Sequence, residues 1–528
     1  MATITSRLPS RAVVNRANAN DPVVRWMTAV TAVVSVLAFV YFSSKGVTLE
    51  YKDAISHLDI ARRVIDGTTP GLAQLGGVWL PLPHLLTIPL IWIDALYYSG
   101  LAGSIISMLA YVATTVLLYK VTQSLTSNTL ASIVAAAVFA FNPNVLYMQS
   151  TPMTELLLFA CMAGMVYGVQ QWAITAEHKY LLGAAVAGLM GTATRYEAWV
   201  LLVTMIVIVA VIGWRKKYDR THIEGLTLAF LLIGAVGIAG WLLWNVLIFG
   251  DMLYFLIGDY AKPSLWVGTG EAAVGNWLVA SLTYYYAVLE NLWPAIAILM
   301  VVGVVTMAVK ERLAPKILPI LSLTVMVPFF ISALEQGQRP LHVLQITNDL
   351  YNVRFGLLMI LPAAVAIGYL IALVPQSKPT VFAASGLAFM VITSFTIASI
   401  TADDKIVTLR EPVAMKQNVN TDVLRETSQF LASNYKEGAI LMESFGNDTI
   451  MFDAQIPLRN NVYEGSYRLW EPALQDPAGH DIQWIVMRHG GLFEPDRVYT
   501  DLSNQPALNS YDKVFENEGY VIYERSSS

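Results

Sequence analysis

Charge is scarce in this chain, and cysteine is almost absent. Of its 528 residues, 13% are Asp, Glu, Lys or Arg, about half the roughly 25% of an ordinary soluble domain. That shortage excludes a cytoplasmic globular enzyme, a nucleic-acid binder with its basic patches, and a highly charged disordered chain. The single cysteine, Cys161, excludes a disulfide framework and a cysteine-based metal cluster. It lies in an apolar run and reads as a small buried or lipid-facing residue. What is abundant is apolar: 55% hydrophobic residues and a mean hydropathy of +0.54. Much of such a chain is dissolved in lipid.

The remaining charge is unevenly spread. Residues 1–398 carry 22 basic and 18 acidic side chains, whereas residues 399–528 carry 11 and 20. The apolar runs also stop near Ile400. The chain therefore divides into a cytoplasmic N-terminal segment (1–23), an all-α polytopic membrane domain (24–400) and an extracytoplasmic domain (401–528) of ordinary size. A spanning helix needs about 20 apolar residues. Eleven runs qualify, near 24–43, 100–119, 129–149, 153–172, 179–196, 199–214, 225–248, 291–309, 317–334, 355–375 and 379–400. The stretch 79–98 is apolar too, but Pro81, Pro83, Pro89 and Asp94 interrupt it. It is expected to lie along the membrane surface.

The positive-inside rule supports eleven spans. That count puts 14 basic residues inside, including the cluster Arg215, Lys216, Lys217 and Arg220, and 8 outside. A twelfth span at 79–98 would move this cluster outside. The N-terminus is then cytoplasmic, its first run a signal anchor in the plasma membrane, and the acidic tail lies outside. Acids gather at the outer ends of the spans, among them Glu50, Asp53, Glu155, Glu197 and Asp349. Arg62, Arg63, Arg195, Lys262, Arg339 and Arg354 share that side. A transporter more often carries charge or broken helices near the midplane. This pattern describes a reaction chamber at the outer surface.

The first outer loop runs from Glu50 through Asp53 to His57. Helical spacing makes Asp53 and His57 neighbours on one face, able to hold a hydroxyl acceptor or share a metal. Asp53 could equally serve as a helix cap. An acidic loop after one span, a surface helix and a Pro-rich stretch (Trp79-Leu-Pro-Leu-Pro-His84) resemble the GT-C glycosyltransferases. The resemblance is to the branch of protein O-mannosyltransferases and aminoarabinose transferases. It implies a GT-C fold, a lipid-linked sugar donor and Asp53 as catalytic base. Glu155, in Ser150-Thr-Pro-Met-Thr-Glu155, stands where such enzymes carry a second acid, although Ser/Thr with Glu is also a helix-start signature.

Arg354 and Arg195 stand at outer helix ends, where a guanidinium can hold a phosphate with two parallel hydrogen bonds or merely snorkel. The loop Phe249–Lys262 suits a lid, with Tyr254, Tyr260, Glu50 and His57 on substrate and Lys262 on phosphate; aromatic enrichment at the interface is the simpler alternative. No cofactor is required. A divalent metal (Mn, Mg or Zn) on Asp53, His57 and Glu155, with Glu50 and His84 nearby, stays open. No Trp-Trp-Asp-Tyr-Gly motif is present, which disfavours an oligosaccharyltransferase.

The tail reads as α/β, with a helix at 421–435, strands at Ala439 and Ile482 and a final hairpin from Tyr511. The expected function is inverting transfer of a sugar from a polyprenyl-phosphate donor to a glycan, lipid or protein acceptor. The rival reading is a non-enzymatic lipid or sugar transporter or an assembly scaffold.

Overall fold

The computed structural model describes residues 21–526, apart from 269, 376, 378, 381–385, 387, 391, 394–395, 398–400, 403–404, 419–420 and 491–493. Nearly all of the expected N-terminal segment, and the core of the run at 379–400, lie outside the described residues.

Helix α1 (Pro22–Ser44) starts at Asp21, whose carboxylate accepts from the Val23 amide, with Pro22 in the first turn. The amphipathic α2 (Lys52–Asp66) buries Ala54, Ile55, Leu58 and Ala61. Next come α3 (Leu82–Ile91), α4 (Leu101–Thr126), α5 (Thr129–Ala140), α6 (Glu155–Thr175), α7 (His178–Thr192) and α8 (Glu197–Arg215). Then follow α9 (Arg220–Gly234), α10 (Val236–Phe249), α11 (Trp277–Leu292) and α12 (Pro294–Lys310). The membrane domain continues with α13 (Leu318–Glu335) and α14 (Val353–Ala372).

Among the described residues, six helices are long and apolar enough to cross a membrane: α1, α4, α6, α8, α13 and α14. The number rises to eight if each bent pair counts as one span. The run at 225–248 is such a pair, α9 and α10, bent by 44°. The run at 291–309 pairs with an unforeseen upstream helix, α11, and the chain turns through 107° between α11 and α12. The break is local: Pro294 disfavours helical backbone at the residue before it, and Trp293 leaves the helical region with φ 71°. The stretch 79–98 forms only the ten-residue α3, with Pro89 inside it, and a short helix Asp94–Tyr98. Ten residues rise about 15 Å, half the hydrocarbon thickness.

The C-terminal part opens with α15 (Val407–Asn418) and α16 (Thr421–Asn434). Its sheet contains β1 (Ala439–Leu441), β2 (Asn461–Val462), β3 (Ile482–Arg488), β4 (Tyr511–Glu516) and β5 (Tyr520–Arg525), in the order β2-β1-β3-β5-β4. β1 is parallel to β2 and β3; β5 runs antiparallel to β3 and β4. Alternation along the strands separates two cores. Ile440, Trp484, Val486 and Ile522 face one. Leu441, Ile485, Met487 and Val521 face the other.

This domain sits on α2 and the loop after it. Buried Arg63 of α2 donates to Ser444, lies 3.5 Å from Asp448, and faces the Tyr463 ring at 4.3 Å. Ser56 donates to Asp448 at 2.8 Å, and Arg459 pairs with Asp66 at 2.6 Å.

α14 is the most buried span, and it begins with a tight 3₁₀ segment, Val353–Met359. Glycine lets it approach α11: a Cβ at Gly356 would lie 2.3 Å from the Ala287 carbonyl oxygen. That contact is backbone and cannot turn aside. Gly356→Ala is expected to cost about 1–3 kcal/mol and lower the thermal unfolding temperature of the detergent-solubilised protein. An unchanged melting curve would contradict this close packing.

Candidate active site

Three chain segments converge on one guanidinium. Asp53 lies in the first turn of α2, where the helix dipole favours a carboxylate. Glu155 is the first residue of α6 and fully buried. Arg354 follows Asn352, whose φ of 51° turns the chain into the 3₁₀ segment. Its Nη2 donates to Asp53 Oδ2 at 2.7 Å, its Nε to Glu155 Oε1 at 3.1 Å and its Nη1 to Glu411 Oε1 at 3.3 Å. Glu411, on α15, also accepts from the Asn352 and Val353 amides, both at 2.9 Å. It therefore caps the backbone turn that carries Arg354.

Arg195 extends the network. Its Nη1 donates to Glu155 Oε1 at 2.9 Å and to Thr154 at 3.0 Å. Its Nη2 and Nε grip Glu197 at 2.9 and 3.2 Å, a bidentate pair. Glu155 Oε2 is buried with no partner among the described residues.

Two cavities meet at this network. The larger, about 1020 Å³, is lined by Arg195, Glu197, Trp199, Phe329, Arg339 and Phe355, among others. The smaller, about 350 Å³, lies between α2 and the C-terminal domain and is lined by Glu50, Tyr254, Tyr260, Glu411, Asp448 and Glu464, among others. Asp53 and Arg354 line both.

The other expected residues sort as follows. Glu50 lines the smaller cavity and pairs with Lys416 at 2.8 Å. Tyr254 stacks on Phe249 at 4.1 Å, and Tyr260 donates to Glu443 at 2.9 Å. Lys262 is half exposed, 3.7 Å from Asp259, and lines neither cavity.

His57 lines the larger cavity, stacked 4.4 Å from Trp79, with its Nδ1 2.9 Å from His84 Nε2. One ring must donate and the other accept. The guanidinium of Arg354 separates Asp53 from Glu155, in the space a shared metal ion would need. Among the described residues, no group of three or more His, Cys, Asp or Glu side chains is arranged to hold a metal.

The sequence reading missed Glu411 and gave no role to Arg339. Glu411 sits in the acidic tail with no motif around it; the apolar Val407 and Leu409 beside it, both buried, are the signal that this helix packs inward. Arg339 forms no ion pair among the described residues, and its guanidinium lies 5.8 Å from the Tyr196 ring centre.

Burial, reinforced by Arg195 and Arg354, pushes the His57 pKa from 6.5 down to about 3. Between those values the unfolded chain binds a proton that the folded chain does not. Stability from this group is therefore complete above pH 6.5 and is lost as pH falls toward 3. His57→Asn, which keeps an N–H donor near His84, should flatten the melting temperature across that window. An equally steep acid limb in the variant would rule out His57 as its source.

Comparison with known proteins bears on the fold. The family model of dolichyl-phosphate-mannose-protein mannosyltransferases matches residues 96–244. The solved structure of ArnT from Cupriavidus metallidurans bound to undecaprenyl phosphate superposes with a TM-score of 0.59 at 12% identity, covering 97% of this chain and 99% of that one. Its apo form gives 0.53 at 11% identity, with 96% and 98% covered. No curated protein matches by sequence. The fold is thus the GT-C fold, a helical membrane domain with a small C-terminal sheet domain. The chain shares the fold of ArnT, and over residues 96–244 it is similar to the dolichyl-phosphate-mannose-protein mannosyltransferase family.

Proposed function

We propose that the protein transfers a sugar from a polyprenyl-phosphate donor to an acceptor hydroxyl on the extracytoplasmic face of the plasma membrane. The observation that carries this reading is that Asp53 and Arg354, 2.7 Å apart, stand where the two cavities meet. A base and a cation at one junction suit a reaction with a nucleophile arriving from one chamber and a phosphate leaving into the other. The ArnT structure in which undecaprenyl phosphate is bound shares the fold, and the matched family is named for a dolichyl-phosphate sugar donor.

Asp53 acts as general base on the acceptor hydroxyl. Phosphate is a weak base and leaves without a proton donor. Arg354, Arg195 and Arg339 stabilise its developing charge, and Glu155 holds two of those guanidiniums in place. In-line attack inverts the anomeric carbon. Cations already fill the role a metal would take, so release of polyprenyl phosphate is expected to persist after exhaustive chelation.

The extracytoplasmic placement is supported by α8, whose 19 residues run from Glu197 at the site to Arg215 at the far end. That length is about 28 Å, close to the hydrocarbon thickness. The basic cluster Arg215, Lys216, Lys217 and Arg220 lies at the end opposite the site, and the positive-inside rule supports reading that end as cytoplasmic.

The test is incubation of the purified protein with undecaprenyl-phosphate sugars, scoring free undecaprenyl phosphate. Asp53→Asn should lower release by about 10²–10⁴-fold while leaving undecaprenyl phosphate binding intact. Wild-type release by that variant would sink the assignment, as would sugar-lipid flux without bond cleavage.

A further inference from the structure

We propose that the acceptor is an uncharged carbohydrate, bound in the smaller cavity beneath the C-terminal domain; this rests on the transfer reading above. The two cavities differ in charge. The larger is lined by three cations, Arg195, Arg339 and Arg354, against the carboxylates Asp53 and Glu197. Arg339 there forms no ion pair among the described residues. An anionic ligand belongs in that chamber.

The smaller cavity reverses the balance. Its cations are Lys52, Arg63, Arg354 and Lys416; its carboxylates are Glu50, Asp53, Glu411, Asp448 and Glu464. Arg63, Arg354 and Lys416 are already matched. Lys416 holds Glu50 at 2.8 Å, Arg63 lies 3.5 Å from Asp448, and Arg354 holds Asp53 and Glu411. A phosphate or carboxylate entering here would have to break internal pairs to reach a cation such as Arg63, Arg354 or Lys416.

What the cavity offers instead is hydrogen-bond acceptors between aromatic faces. Carboxylates accept from hydroxyl donors. Trp79, Tyr254, Tyr260, Trp266, Tyr351 and Tyr463 supply ring surface for the C–H face of a pyranose. Tyr51 lines the same cavity and is 3% exposed, and its hydroxyl has no partner among the described residues. A ligand oxygen would satisfy it. The volume, about 350 Å³, is at the small end of ligand cavities and suits a sugar unit better than an acylated head group. A peptide binding by strand addition would need a free sheet edge. The sheet edge nearest the cavity is β2, two residues long, and its Asn461 carbonyl already accepts from Thr68 at 2.5 Å.

A free oligosaccharide and a neutral glycolipid share this chemistry, so the experiment separates them. The full-length protein in nanodiscs receives undecaprenyl-phosphate sugars, radiolabelled in the sugar. The acceptors are mannotriose, glucosyl-diacylglycerol, Kdo2-lipid A and a Ser/Thr-rich peptide. Label is expected on mannotriose if the source is a free glycan, or on the glucosyl lipid if it is lipid-borne. Tyr254→Ala should raise the KM for that acceptor roughly tenfold with the donor KM unchanged. Arg339→Gln should do the reverse. Label on lipid A or peptide alone overturns this inference and leaves the transfer reading standing. Both variants raising the same KM overturns the division of the cavities. No undecaprenyl phosphate released from any donor overturns the transfer reading and this inference with it.

Discussion

The structure depends on the guanidinium of Arg354. It is planar, permanently charged and carries five donors in a fixed fork. Three of its nitrogens reach three carboxylates, on α2, α6 and α15. Without the cation, three acids would face one another in a largely buried space, where like charges cannot all stay ionised. The fixing is mutual, because Glu411 accepts from the two amides just before Arg354 and holds the turn that aims it. One side chain thus ties the outer loop, the helical bundle and the C-terminal segment together.

The same arrangement explains how one junction serves two chambers. A guanidinium has two faces and three nitrogens, so it can border both spaces while staying anchored to acids on either side. Glu155, buried and shared by Arg354 and Arg195, couples that junction to the wall of the larger chamber. The roof is held more conventionally, through Arg63 stacked on Tyr463 and bonded to Ser444. The aromatic lining therefore belongs partly to the membrane domain and partly to the sheet domain.

Much of the fold was legible because it is written in patterns. Long apolar runs gave α1, α4, α6, α8, α13 and α14, and alternation gave β3 and the β4–β5 hairpin. Asp53 and Glu155 stood out through the resemblance to GT-C enzymes, and Arg195 and Arg354 because they stand at the outer ends of apolar helices. What stayed hidden rests on single residues and distant pairs. The turn at Trp293 depends on one X-Pro bond inside an apolar stretch that reads as continuous. Asp53 and Arg354 lie 301 positions apart, and no local period encodes such a meeting. Lys262 has the right sign and loop, yet its short-range pairing with Asp259 keeps it at the surface. Glu411 was hidden by its neighbourhood: in an acidic tail, a buried acid looks like a solvated one.

The position of Glu411 also sets an order of assembly. A chain emerges from its N-terminus onward, so Asp53, Glu155 and Arg354 are all made before the residue that caps them. Arg354 precedes Glu411 by 57 positions, with the apolar run at 379–400 between them. Until Glu411 and the sheet domain after it have been made, the turn bearing Arg354 lacks its cap and the smaller chamber lacks its roof. The chamber can close only once the chain has grown past Tyr467, the last residue that lines it.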